Sequence, residues 1–121
     1  MRESDIETYL VARVKALGGE VRKVKWLGRR GAPDRIVMLP ARGKCPTAAE
    51  VAQYRDEHCY RMEDAKRALD QRRAPLTVWV ELKAPGVPPE AHQVREHERM
   101  RAAGQYVEVV DSFSRVDEVL A

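Results

Sequence analysis

Leu76-Thr77-Val78-Trp79-Val80-Glu81-Leu82-Lys83 is the stretch from which the rest of the chain is read. Successive side chains of a strand point to opposite faces, so Leu76, Val78, Val80 and Leu82 fall on one side and Thr77, Trp79, Glu81 and Lys83 on the other. A carboxylate and an ammonium therefore share a face, roughly 7 Å apart along the strand. Downstream, Pro85 to Pro89 breaks the chain, and a helix runs from about Pro89 to Ala103 and stops at Gly104. Tyr106 to Val110 gives a last strand and Ser114 to Leu120 a terminal helix. Upstream, Ile6, Leu10, Val14 and Leu17 recur at helical spacing from Ser4 to Leu17, with Ser4 as the cap and Gly18-Gly19 as the stop. Val21 to Trp26 and Arg35 to Leu39 read as two strands of a hairpin joined by the turn Gly28-Arg29-Arg30-Gly31. The order αββ, insert, βαβα predicts an α/β fold, a mixed central sheet of about four strands with helices on both faces.

The insert lies between the second and third strands, from about residue 41 to 75. It begins at a Thr47-to-Glu50 capping box, after which Val51, Tyr54, His58, Met62, Ala65 and Leu69 step by three and four. That pattern predicts roughly seven helical turns with one apolar stripe. Six acids and six bases in residues 50 to 73 cancel, which argues against a major nucleic-acid surface. The stripe suits either covering the sheet or pairing with a second copy of the chain, and a lid, a dimer contact and a specificity element all stay open.

With 121 residues, the chain suits one domain, 1–121, with a single core. No apolar run reaches the ~20 residues of a membrane span, and the charged, amphipathic start shows no secretory signal. Cytoplasmic residence is the expectation, and Cys45 and Cys59, in neither a CxxC pair nor a disulfide framework, suit a reducing compartment. A zinc site from Cys45, His58 and Cys59 is disfavoured, because adjacent helical residues point in different directions. The net charge is +3, but Arg22, Lys23, Lys25, Arg29, Arg30, Arg35, Arg42 and Lys44 concentrate on one stretch against a single acid, Asp34. Such a strip favours nucleic acid, and Lys23, Lys25, Arg29, Arg30 and Arg35 are the candidate contacts.

Chemistry gathers at Gly31-Ala32-Pro33-Asp34 and at Val80-Glu81-Leu82-Lys83. Alone, the first is a turn signature and the second an ordinary ion pair. Together they supply what phosphodiester hydrolysis calls for: carboxylates to hold a hard divalent ion, and a cation to position the attacking water. If the strands carrying Asp34 and Glu81 are neighbours, both reach one ion, the Leu82 carbonyl adds an uncharged ligand, and Lys83 faces the water.

Taken in order, these segments resemble the VRR-NUC branch of the PD-(D/E)XK nucleases. The likeness runs through the helix with Glu7, the Gly18-Gly19 stop, Gly31-Ala32-Pro33-Asp34-Arg35, Val80-Glu81-Leu82-Lys83-Ala84-Pro85, Gln93, and Gly104 before a strand ending Val109-Val110-Asp111-Ser112. The resemblance implies a Mg2+- or Mn2+-dependent nuclease acting on branched or flapped DNA, homodimeric in its compact phage and bacterial members and residing in the bacterial or phage-infected cell. It further implies that Asp34 and Glu81 bind metal, Lys83 orients water, Glu7 is a further acid acting directly or through water, and Gln93 holds the metal site or the phosphate. Glu7 has a competing role, since Ser4-Asp5-Ile6-Glu7 is also a capping box, and Glu3 is the rival acid. The insert departs from the family pattern by placing about forty residues between the Asp-bearing and Glu-x-Lys strands.

His92 and His97 flank Gln93 but lack a paired base or metal spacing, which favours surface or packing roles. Trp26 and Trp79 have the aromatic faces for base stacking, Trp79 being placed more naturally in the site wall or core. Tyr9 and Tyr106 read as core or boundary residues. The competing functional class is a non-catalytic nucleic-acid-binding module that uses the basic 22–44 strip without metal. RNA-directed cleavage by the same metal site is a third reading.

Overall fold

The computed structural model describes residues 1–41 and 47–121, without the side chains of residues 71–73. Arg42, Lys44 and Cys45 lie outside the described residues. The strands are β1 (Glu20–Lys23), β2 (Arg35–Leu39), β3 (Leu76–Leu82) and β4 (Tyr106–Val110), and they form one sheet in the order β1-β2-β3-β4. β1 and β2 are an antiparallel hairpin with Val21 opposite Val37, whereas β3 and β4 run parallel with Glu81 opposite Val109. Parallel neighbours need a crossover, which here is the helix Ala91–Ala102. The sheet is therefore mixed, as the element order predicts.

The other helices are α1 (Glu3–Ala16), α2 (Ala48–His58), α3 (Met62–Arg73) and α5 (Phe113–Leu120), with the crossover helix as α4. The chain separates into two compact units: Met1–Leu39 with Thr77–Ala121, and Pro40–Leu76. In the first unit, α1 packs on α5 and α4 runs along β4. Its core is Ile6, Leu10 and Val14 from α1, Val37 and Leu39 from β2, Val78, Val80 and Leu82 from β3, Val107 and Val110 from β4, and Val116 and Leu120 from α5. Each such side chain contributes about 1.5–3 kcal/mol on burial, so the sheet is held mainly by this apolar layer.

α1 begins one residue before Ser4, and the Asp5 carboxylate accepts the Arg2 amide at 2.7 Å. Ser4 is thus inside the helix, and the Ser4-to-Glu7 capping box does not form. α4 is unusual in that its buried residues are Glu96 and His97. Gln93, Glu96, His97 and Met100 recur at helical spacing on that face, so α4 presents a polar stripe to the sheet.

The second unit corrects the expectation of one long helix. The Thr47 side chain accepts the Glu50 amide at 3.1 Å, as the capping box predicts. The helix then ends at Cys59, whose φ of 55° is left-handed, and the chain restarts as α3. α2 and α3 pack on each other, and Val51 and Ala65 of the predicted stripe are buried. Tyr54 stacks on His58 with ring centroids 3.9 Å apart, and Tyr60 lies against both. Among the described residues no helix is long and apolar enough to cross a membrane.

Candidate active site

Glu81 sits near the end of β3 with only 8% of its surface exposed. The Lys83 amide donates to the Val110 carbonyl at 3.0 Å, so the ladder continues past the end of β3 and keeps Lys83 on the Glu81 face. Lys83 Nζ lies 3.9 Å from Glu81 Oε1. Gln93 Nε2 donates to the same oxygen at 2.6 Å. Burial pushes the Glu81 carboxyl up to about 7; Lys83 and Arg35 work against that shift, while the charges of Asp34 and Glu3 reinforce it. Glu81 is thus a desolvated carboxylate in a field of other acids, with one ammonium beside it.

Asp34 stands immediately before β2, where its carbonyl accepts the Val24 amide at 2.9 Å. The turn leading to it is pinned twice. Trp26 Nε1 donates to the Pro33 carbonyl at 2.7 Å, and Gly31 adopts φ +88° so close to α4 that an added Cβ would lie 2.7 Å from the His92 carbonyl oxygen. Only glycine satisfies both demands. Asp34 lines a groove of about 470 Å3 together with Lys23, Lys25, Trp26, Arg29 and Arg35. Its own side chain is 62% exposed.

Arg35 joins the acidic residues to one another. Its Nη1 is 2.8 Å from Asp34 Oδ2, while Nη2 and Nε donate to Glu7 Oε1 at 2.9 and 3.1 Å. Burial disfavours its charge, but the Glu7 hydrogen bond and the Asp34 and Glu7 charges outweigh that and hold the guanidinium more firmly protonated. Arg35 is buried, so its placement differs from that of Lys23, Lys25, Arg29 and Arg30, which are all exposed. The buried guanidinium is occupied by carboxylates and presents little surface to a phosphate. Glu3 and Glu7 lie one turn apart on α1; Glu7 is engaged by Arg35, and Glu3 acts on Glu81 through its charge.

Asp34, Glu81, Lys83, Gln93 and Glu7 therefore all belong to the first unit and are linked by ion pairs, hydrogen bonds or mutual charge effects. Among the described residues no cluster of three or more His, Cys, Asp or Glu side chains is gathered as a metal cage. Asp34, Glu81 and the Leu82 main-chain carbonyl could supply hard oxygens of the kind that hold Mg2+ when water and substrate phosphate complete the shell. Crowding of negative charge onto buried Glu81 fits such a cation.

Glu96 escaped the sequence reading, whereas His97 takes the packing role expected of it. Glu96, 4% exposed, pairs with Arg29 at 3.4 Å and Arg99 at 3.1 Å and ties the basic turn to α4. Its place three residues after Gln93 is the signal that could have found it. His97 is fully buried, and its Nε2 has no hydrogen-bond partner among the described residues. Burial, followed by the Arg101 and Lys83 charges, lowers its pKa. His92 approaches Glu90 at 3.3 Å, and neither histidine forms part of the Asp34–Glu81 constellation.

A mixed sheet carrying Asp34 at the start of one strand and Glu-x-Lys at the end of the next is consistent with the PD-(D/E)XK class of folds. No protein-family model matches the chain. It is 36% identical over 112 residues to "Putative nuclease p44" of Acyrthosiphon pisum secondary endosymbiont phage 1, covering 93% of this chain and 85% of that protein. A solved structure described as a VRR-NUC domain superimposes with a TM-score of 0.64 at 34% identity, covering 98% of this chain and 92% of its own. The chain belongs to the VRR-NUC family.

Proposed function

We propose that the protein is a metal-dependent, structure-selective DNA endonuclease that hydrolyses phosphodiester bonds. One observation carries this reading: buried Glu81 meets Lys83 and Gln93 and lies in the field of Asp34, which itself lines an open groove with cationic residues. Asp34, Glu81 and the Leu82 carbonyl would hold Mg2+ or Mn2+. Such an ion, when bound, withdraws charge from a phosphate oxygen and makes water more acidic.

The chain's own residues perform the remaining work. Lys83 donates to the oxygen of the attacking water and keeps it facing the phosphorus, while its charge partly offsets the burial that favours protonated Glu81. Gln93 fixes the Glu81 carboxylate by a hydrogen bond to one oxygen. Glu7 acts through Arg35, whose guanidinium holds Asp34 in place. Lys23, Lys25, Arg29 and Arg30 neutralise backbone phosphates along the groove. In hydrolysis the water oxygen forms a new bond to phosphorus, one ester P–O bond breaks, and the departing oxygen leaves as an alcohol after taking up a proton.

Cleavage of labelled single-stranded, duplex, flap and four-way-junction DNA with Mg2+, Mn2+ or EDTA, by the natural protein and by Lys83→Ala, tests the reading. Metal-dependent cutting that Lys83→Ala abolishes in a folded protein supports it. Binding without cutting under every condition supports the basic strip as a binding module instead. A homodimer belongs to the same proposal, since two sites related by a two-fold axis suit the two strands of a symmetric junction. Monomeric mass in sedimentation with undiminished junction cutting would overturn the dimer alone.

A further inference from the structure

Beside the Asp34 groove lies a cleft of about 340 Å3 whose walls include Trp26, Trp79, Arg29, Glu96, Arg99 and Gln105. Trp26 and Arg29 line both depressions, so the two adjoin. The indoles are half-buried, with centroids 5.2 Å apart and planes inclined at 49°, which makes them adjoining walls rather than a closed stack. Each indole N–H is already spent, Trp26 on the Pro33 carbonyl and Trp79 on Gln105 Oε1, so what the rings offer a ligand is their faces. Around the rings, Arg29 and Arg99 grip the buried Glu96 carboxylate while more than half of each arginine side chain stays exposed.

We infer that this cleft receives an unpaired nucleobase from the strand whose phosphate occupies the Asp34 groove. The inference rests on the nuclease reading and deepens it, because it names what the enzyme selects. Aromatic faces stack on any base, the half-exposed arginines donate to base carbonyls and flanking phosphates, and Gln105, its Oε1 held by Trp79, presents its amide N–H groups to the base edge. A base inside a duplex is paired and stacked on both sides and cannot enter. A flap exposes such a base next to the scissile phosphate, a four-way junction does so only when a pair at its crossover opens, and a continuous duplex does not.

Trp26 and Trp79 are the only tryptophans in the chain, so their emission reports the cleft directly. The test titrates the natural protein in EDTA with a short end-labelled single-stranded oligonucleotide and with the same oligomer carrying abasic sites, reading tryptophan emission and label anisotropy together. The base-bearing strand should quench emission and bind about ten-fold more tightly than the abasic strand. Trp79→Leu, and independently Arg99→Ala, should shrink that difference. Equal binding of the two strands, or rising anisotropy with unchanged emission, overturns the inference even if Trp79→Leu fails to fold, because the natural protein alone decides it. Metal-dependent cutting that is indifferent to abasic sites sinks the base cleft and leaves the nuclease reading standing; absence of both cutting and binding sinks both.

Discussion

Gln93 is held at both ends of its amide: its Oε1 accepts the Glu90 backbone N–H at 2.8 Å, and its Nε2 donates to Glu81 Oε1 at 2.6 Å. The first bond caps α4 and thereby settles which way the amide points, because only the nitrogen is left to face the carboxylate. A helix start and a buried acid on the neighbouring strand are thus locked by one side chain. Gln93→Ala should lower cleavage about ten-fold with intact circular dichroism, the usual cost of removing a hydrogen-bond partner from a ligand. Gln93→Glu should be worse than Gln93→Ala, since a second carboxylate against Glu81 disfavours its charged form; an undiminished rate in Gln93→Ala would show that the hydrogen bond is irrelevant.

Glu81 also sets a pH dependence. Its carboxyl binds a proton more tightly in the folded chain, at about 7, than in the unfolded chain, near 4.5. The stability it contributes is therefore complete below pH 4.5 and is lost as pH rises through 7. In EDTA at pH 8, Glu81→Gln should be the more stable protein by about 3 kcal/mol, an upper figure from ~1.4 kcal/mol per pH unit, and the gap should close towards pH 4.5. Thermal melts of both proteins across this range check it, and parallel profiles would refute the assignment.

Arg35 should behave as a structural residue rather than as a DNA contact. Arg35→Ala leaves Glu7 and Asp34 without their shared cation and should cost about 3 kcal/mol in urea unfolding, while Arg35→Lys, unable to reach both acids with a fork, recovers only part of it. Lys25→Ala should instead leave stability within about 0.5 kcal/mol and reduce the salt slope of DNA binding by about one. The opposite pattern would return Arg35 to the DNA surface.

Gly31→Ala should uncouple Asp34 from the rest of the site. The substitution meets both a positive φ and the His92 carbonyl, so the turn must shift, and a displacement near 1 Å can cost on the order of a hundred-fold in rate. Cleavage should fall at least ten-fold while the Glu81–Gln93 side of the site stays folded; an unchanged rate would mean that the turn tolerates movement.

β2, β3 and β4 match their sequence spans to the residue because alternation and the bounding Gly and Pro residues are local signals. β1 stops at Lys23, short of the predicted Trp26, since the Trp26 indole turns to the Pro33 carbonyl. The break at Cys59 was invisible: Tyr54, His58 and Met62 keep helical phase across it, and neither Gly nor Pro marks the left-handed residue. Glu81 and Lys83 share a face by alternation, a local signal, whereas Asp34 was joined to them only through the chemistry of hydrolysis and the family likeness. The Glu7–Arg35 and Arg29–Glu96 pairs join residues far apart in sequence, which periodicity does not register.

The second unit, Pro40–Leu76, is compact in its own right and carries none of the proposed catalytic side chains. Its sequence can therefore drift, lengthen or be exchanged as a cassette while Asp34 and Glu81 remain under separate constraint. Lineages that share the first unit should differ most here, which would let one hydrolytic framework acquire new preferences without rebuilding its chemistry.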